Sequence, residues 1–455
     1  MSHPHGTATA QAERIPLSLQ QDFLRLIDPG TDAGPFGPWY TIVGGWRLSG
    51  PLDVATLQGA LDDLVVRHES LRTSLVRDGE DSCQVVGEPG SPSLAVHDLS
   101  GQDGARDLQA EELVNEVEST PFPMERTPLI GAVLGRFDER DAVLALAAHH
   151  TAVDGWSMQL VVRDLAELYA ARRAGRPAAL PDPGQYRRFV AWQREYERGP
   201  AADASRAFWR DTLRGARITP VPTDHARSAG LPAATSWHRF LLAEDFRTAV
   251  LRLARTTRTT PFMVLLAAYA LLLRERGGGD DIVAPTFTPG RMQSRMLDTV
   301  GSFYNFVPLR VDLSPCRTFA DVLAAVRRTC LAAHTHELPF NDILAAAPEL
   351  LDAAGTDRTA DLAFQVVQSP LIMADKAVGD LSYTAMRRRM LPQPVGSALP
   401  DGALWNLELN APGIVGSVGY LSNLFTNASM VELTIDFQRV LSRVLSRPDQ
   451  ELKNL

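Results

Sequence analysis

LALAAHHTAVDGWSMQLVV, Leu144–Val162, joins two different periodicities. Ala142–Ala148 is a strongly apolar run of strand length, which predicts a buried strand. Ser157–Arg173 repeats apolar residues at helical spacing and predicts an amphipathic helix. His149 and His150 therefore stand at a strand end, with Asp154 and Gly155 where the chain turns toward the helix. Loops anchored on rigid elements are where folds present reactive side chains.

Three chemical readings of this constellation follow from the residue types. A buried histidine pair can be a satisfied part of a core. A neutral imidazole whose pKa lies near working pH also suits proton transfer to or from a reacting group. A zinc site is disfavoured, because adjacent histidines do not easily share one ion and no Cys or Glu follows at ligand spacing; no metal is expected. An Asp at position 154 can hold local geometry through a buried Arg partner. Gly155 lets backbone approach a reacting carbonyl.

The same stretch resembles the HHxxxDG signature of acyl-CoA-dependent acyltransferases and of nonribosomal peptide synthetase condensation domains. Further segments extend the resemblance from about residue 15 to the end. LSLQQDFLRL (Leu17–Leu26) is similar to the first condensation motif, with the usual Ala-Gln and following Arg altered. RHESLRTSL (Arg67–Leu75) is close to RHExLRTxF with Leu75 in place of the aromatic, and YRRFVAW (Tyr186–Trp192) matches YxDFAxW except at Arg188. VGSFYNFVPLR (Val300–Arg310) resembles GxFVNTLxLR, and HELPFNDIL (His336–Leu344) resembles HQDxPFE.

The resemblance implies an α/β (α+β) fold of two chloramphenicol-acetyltransferase-like lobes in a V, with a channel between them. It assigns His150 to catalysis, and His149, Asp154, Gly155 and Arg291 to the architecture of the active site. Arg291, after Pro289-Gly290, matches the Arg of a GR segment and is the expected partner of Asp154. Trp156, Ser157, Tyr304, Asn305 and Gln365 are expected along the substrate channel. No resident cofactor is implied; phosphopantetheine arrives on a donor carrier protein. The implied function is transfer of an aminoacyl group from a discrete carrier to a hydroxyl or amine of a small-molecule acceptor, forming an ester or amide. Within the family, the chain resembles the free-standing condensation enzymes of enediyne antibiotic pathways. A CoA-dependent acyltransferase and an inactive carrier-docking scaffold are the alternatives.

Residues outside the signature also have simpler readings. Leu57, Leu61, Leu64, Val65 and His68 follow helical spacing after Asp53, which predicts a core helix over Leu57–His68 capped by that Asp. Arg67, Glu69 and Arg72 then belong to the fold or the rim. Tyr186, Phe189 and Trp192 recur every three residues, as in helix packing. Asn305 at a strand terminus has a second reading, bonding backbone. Arg387, Arg388 and Arg389 are either a rim for an acidic carrier or a solvated charge run.

Length and composition bound the rest. A chain of 455 residues exceeds one ordinary core and predicts two domains. Residues 1–14 are expected to form a disordered tail that carries His3 and His5. Pro/Gly punctuation near Leu180 separates an N-terminal lobe (15–180) from a C-terminal lobe (181–455) that begins with bridging helices over 186–213. The segment 390–406 is expected to latch one lobe to the other. A net charge of −9 opposes nucleic-acid binding. Cys83, Cys316 and Cys330 form no disulfide framework, which fits a reducing cytoplasm. Pro261–Leu273 is too short to cross a bilayer and reads as a buried helix begun by Thr260 and Pro261, so no membrane is expected. No GxxxxGK[ST] phosphate loop and no GGxS carrier segment is present, which favours an enzyme that receives its donor from a separate protein.

Overall fold

The computed structural model describes residues 13–454 apart from 78, 102–103, 124–126, 353–355, 400 and 410–411. His3 and His5 lie outside the described residues. The disordered tail expected over residues 1–14 lies outside the described residues as far as residue 12, and its last residue, Arg14, is instead in the strand Arg14–Pro16, paired with Val85.

The apolar run becomes the strand Asp141–His149, the fourth of six in the order 376–378, 381–385, 41–49, 141–149, 130–136, 94–98. It is antiparallel to both neighbours, with Thr41 opposite His149 and Ile130 opposite Ala148. Its two faces enter different cores. Leu144, Leu146 and Ala148 pack with Leu57, Leu61, Leu64, Met158 and Leu165. Val143 and Ala145 pack with Ala110, Leu113 and Val114 of the helix Arg106–Glu118. Burial on both faces explains why the run is continuously apolar rather than alternating.

Capping places the flanking helices. Asp53 accepts from the Thr56 N–H at 2.7 Å and starts the helix Val54–Arg67. Thr260 caps Pro261–Leu273, whose residues from Met263 onward are all buried. Among the described residues no single helix is long and apolar enough to cross a membrane; the pair Glu244–Thr257 and Pro261–Gly278 is bent by 106°. The bridging helical stretch is two helices, Tyr186–Tyr196 and Pro200–Thr212. The second begins at a proline, whose missing N–H is harmless only in a first turn.

The second lobe carries a four-stranded sheet ordered 362–367, 403–408, 414–421, 235–242. The antiparallel pair Asp281–Thr288 and Asn305–Asp312 adjoins it, with Thr286 Oγ1 donating to the Phe364 carbonyl at 2.6 Å. Leu362–Val367 is the strand anticipated in DLAFQVVQ, and it carries no histidine pair.

A division at residue 180 does not describe the packing. Strands Lys376–Val378 and Leu381–Ala385 come from the second half of the chain yet extend the first sheet, with Tyr383 opposite Leu48. Leu19–Ile27, from the first half, packs on the second lobe, where Phe23 meets Phe340 edge-on at 5.0 Å. Alternating Leu381 and Tyr383 bury one face in the first core, a five-residue pattern too short to assign to a lobe from sequence. The segment 390–406 bonds both lobes: Leu391 N–H donates to Glu111 and Gln393 Nε2 to Ser119, while Trp237 N–H donates to the Gln393 carbonyl. Its last residues, from Ala403, are strand in the second sheet.

Candidate active site

The strand ends at His149, and His150 is the first residue of the turn. The His150 N–H donates to the Tyr40 carbonyl at 2.8 Å. His149 is fully buried, whereas His150 is half-buried.

Each ring's hydrogen bonds define its tautomer. Thr151 N–H approaches His149 Nδ1 at 3.3 Å and Thr151 Oγ1 lies 2.6 Å from the same atom, so Nδ1 accepts. His149 Nε2–H then donates to the Gly37 carbonyl at 3.1 Å. Both nitrogens are engaged, and burial pushes the ring's pKa down to about 4. His149 is a neutral structural bridge. In His150, Nδ1–H donates to the Val153 carbonyl at 2.9 Å, which leaves the lone pair on Nε2. Burial lowers its pKa below the ordinary histidine value, against the opposing charge of Asp154. The result is an imidazole held neutral with one nitrogen able to accept a proton.

Asp154 caps the following helix, Gly155–Ala174. Its Oδ1 accepts from the Ser157 N–H at 2.7 Å and from Arg291 Nη2 at 3.2 Å, and its Oδ2 accepts from the Phe303 N–H at 3.0 Å. Arg291 also donates to the Met296 and Thr299 carbonyls, each at 2.7 Å, and to Ser157 Oγ at 2.8 Å. Its guanidinium lies 4.0 Å from the centroid of Phe303, and burial holds its pKa below the usual arginine value. Gly290 makes this reach feasible. Its φ is +62°, and a Cβ there would meet the Phe303 carbonyl oxygen at 1.8 Å.

The remaining sequence candidates separate. Gly155 is exposed, and a Cβ on it would meet nothing within 4 Å. Ser157 is buried and joins the lobes, donating to the Gly301 carbonyl at 2.7 Å and accepting from the Gly301 N–H at 3.0 Å. Trp156 is tied by its indole N–H to the Leu297 carbonyl at 3.0 Å. Tyr304 lies against His150, ring centroids 4.7 Å apart. Asn305 is buried. Its amide donates to the Leu338 carbonyl and accepts from the Phe340 N–H, so it joins its strand to the helix Phe340–Ala346. Gln365 is half-buried on the second lobe's strand opposite Asn406.

Sequence reading missed Tyr40, whose ring stacks on His150 at 4.8 Å and 18°, and Thr151, which selects the His149 tautomer. Tyr40 directly precedes the strand that pairs with the histidine strand, but no spacing rule connects positions 40 and 150. Arg67 and His68 both bond buried Asp164, and Glu69 pairs with Arg187. The Arg387–Arg389 run is not a solvated run throughout. Arg387 pairs with Glu408 and Arg389 with Glu118, leaving Arg388 exposed.

Residues 38–455 match the model of the condensation domain family. The crystal structure of SgcC5 protein from Streptomyces globisporus, in complex with (R)-(-)-1-(2-naphthyl)-1,2-ethanediol and sucrose, is similar with a TM-score of 0.92 at 46% identity, over 96% of this chain and 100% of that one. The X-domain from teicoplanin biosynthesis is similar with a TM-score of 0.76 at 26% identity, over 98% of each chain. Phosphinothricin tripeptide synthetase PhsC of Streptomyces viridochromogenes is 32% identical over 87% of this chain and 35% of its own length. The dimodular nonribosomal peptide synthase of Bacillus subtilis is 32% identical over 97% of this chain and 18% of its own length. The chain thus spans a small part of these curated relatives.

Proposed function

The chain belongs to the condensation-domain family, whose members are acyltransferases of nonribosomal peptide synthesis, and from that premise we propose that it transfers an aminoacyl group from a carrier-bound phosphopantetheinyl thioester to a small-molecule acceptor. The product is an ester or an amide in the assembly of a natural product, with the enediyne antibiotics as the proposed context. The reading rests on one observation above all: His150 is half-buried, its Nδ1–H is committed to the Val153 carbonyl, and its Nε2 retains a lone pair.

That geometry supports one proton's passage. An acceptor hydroxyl or amine attacks the thioester carbonyl carbon while His150 Nε2 takes its proton. The new C–O or C–N bond forms, the C–S bond breaks, and the departing thiolate recovers the proton from the imidazolium. No nucleotide is needed, because the thioester is already activated. Asp154 and Arg291 touch no reacting atom in this scheme; they hold the turn and the helix start that carry the Val153 carbonyl.

A hydroxyl acceptor is proposed alongside an amine because SgcC5, which shares 46% identity, is described in complex with an aryl diol. The test compares one aminoacyl group presented on a discrete carrier protein and as its CoA thioester, with 1-(2-naphthyl)-1,2-ethanediol and the matching amino alcohol as acceptors. Carrier-dependent ester formation is the expected result. Comparable efficiency with the CoA thioester would instead assign a CoA-dependent acyltransferase, and no transfer from either donor by folded protein would leave a docking scaffold.

A further inference from the structure

Two tyrosines from different lobes close on the catalytic imidazole. Tyr40 directly precedes the first-lobe strand Thr41–Ser49, and Tyr304 directly precedes the second-lobe strand Asn305–Asp312. Tyr40 stacks nearly parallel to His150, with centroids 4.8 Å apart and 18° between planes. Tyr304 meets the same ring at 4.7 Å and 49°. The two phenol oxygens are hydrogen-bonded to each other. The Tyr40 carbonyl accepts from the His150 N–H, so Tyr40 holds both the backbone and the ring of that residue.

We propose that Tyr40 and Tyr304 form an interlobe clamp that positions the His150 imidazole. The Nδ1–Val153 bond sets which nitrogen carries the proton but leaves the ring free to tilt about that contact. A stacked ring on one side and a tilted ring on the other remove this freedom. The phenol–phenol bond makes the restraint depend on both lobes, so their correct approach and a correctly aimed Nε2 form together. Burial pushes both phenol pKa values far above their ordinary range, so the clamp keeps its protons at any working pH. His149 beside the ring, Asp154 at the start of the following helix, Arg291 paired with that Asp, and Tyr186 are titratable groups around it.

The kinetic arm of the test rests on the acyl-transfer reading; the spectroscopic arm does not. Tyr40→Phe, Tyr304→Phe and the double variant of the full chain keep the rings and remove only the hydroxyl bond. The His150 ring, assigned by its loss in His150→Gln, is titrated by NMR. Losing the bond admits water, relieves desolvation and should move the titration midpoint upward toward the ordinary histidine value in each single variant. Turnover with the carrier-bound donor should fall by about tenfold in each, with KM for the donor unchanged. The double variant should be no worse than either single, because all three lack the same bond. An unmoved midpoint with turnover within about twofold of wild type in both singles would overturn the clamp, as would losses that multiply in the double variant. Wild-type protein that transfers no acyl group would defeat the functional reading, and the NMR titration would still decide the clamp.

Discussion

Arg291 Nη2 lies 3.2 Å from Asp154 Oδ1, the two side chains exposed by only 2% and 4%. Both charges are thus withdrawn from water, and each is the other's principal compensation. Removing one partner of such a pair costs on the order of 3–5 kcal/mol, because the survivor is left charged and buried. Asp154→Asn and Arg291→Met should each lower the urea midpoint strongly. The double variant should lose less than the sum of the single losses. Strict additivity would show that the pair is not coupled.

His150→Ala should reduce turnover by roughly two to four orders of magnitude, the usual worth of a positioned general base. Its melting temperature should stay near that of wild type, since the ring is half-buried and makes one side-chain hydrogen bond. Single-turnover kinetics beside a thermal melt would distinguish catalytic from structural loss.

The same variant should injure ester formation more than amide formation. A neutral alcohol is a weaker nucleophile than an amine and gains more from a base that takes its proton. Competing the diol against the amino alcohol with one carrier-bound donor measures the ratio. An equal loss for both would remove proton abstraction from the role of His150.

Stability should fall as pH drops below about 6.5. His149 titrates at about 4 in the folded protein, below an ordinary histidine value of 6.5. Between those values the unfolded chain binds a proton that the folded one does not, so its contribution is complete above pH 6.5 and is lost toward pH 4. The difference corresponds to roughly 3 kcal/mol, an order-of-magnitude figure. Burial shifts His68 and His150 in the same direction. Urea melts at pH 7 and pH 4.5 should show the loss in wild type, and His149→Gln should shallow the slope.

Glu118 sits between two arginines, 2.6 Å from Arg389 and 3.4 Å from Arg239, and so joins a first-lobe helix to the residue just before the segment 390–406 and to a second-lobe strand. Burial, with Arg389 alongside, holds Arg239 down to about 10. Glu118→Gln should destabilise by less than the about 3–5 kcal/mol of a fully buried pair, because Arg389 is half-buried and Arg239 keeps Glu111 at 3.9 Å. Replacing Arg388, which is exposed, should change the melting temperature little. Differential scanning calorimetry on the two variants checks both expectations.

Local information was enough for the elements that hold the candidate site. The run Ala142–Ala148 and the helical spacing after it place a strand, a turn and a helix around His149, His150 and Asp154, because periodicity and capping act over a few residues. The motif pattern also picked out Arg291 as the partner of Asp154 across 137 positions. What no local pattern carries is contact between distant segments. Tyr40 beside His150, the tautomers selected by Thr151 and Val153, and the engagement of Asn305 by Leu338 and Phe340 all arise where separate strands and turns meet. Lobe membership belongs to the same class. Strand 381–385 pairs with the Thr41–Ser49 edge of the first sheet and 376–378 pairs with 381–385, so backbone groups of that edge are bonded by segments more than 300 residues away in sequence. The sequence determined which side chains can do chemistry and which short elements hold them; tertiary packing decided which nitrogen of His150 is free and which lobe each distant segment joins, because those depend on hydrogen-bond partners that folding alone brings into reach.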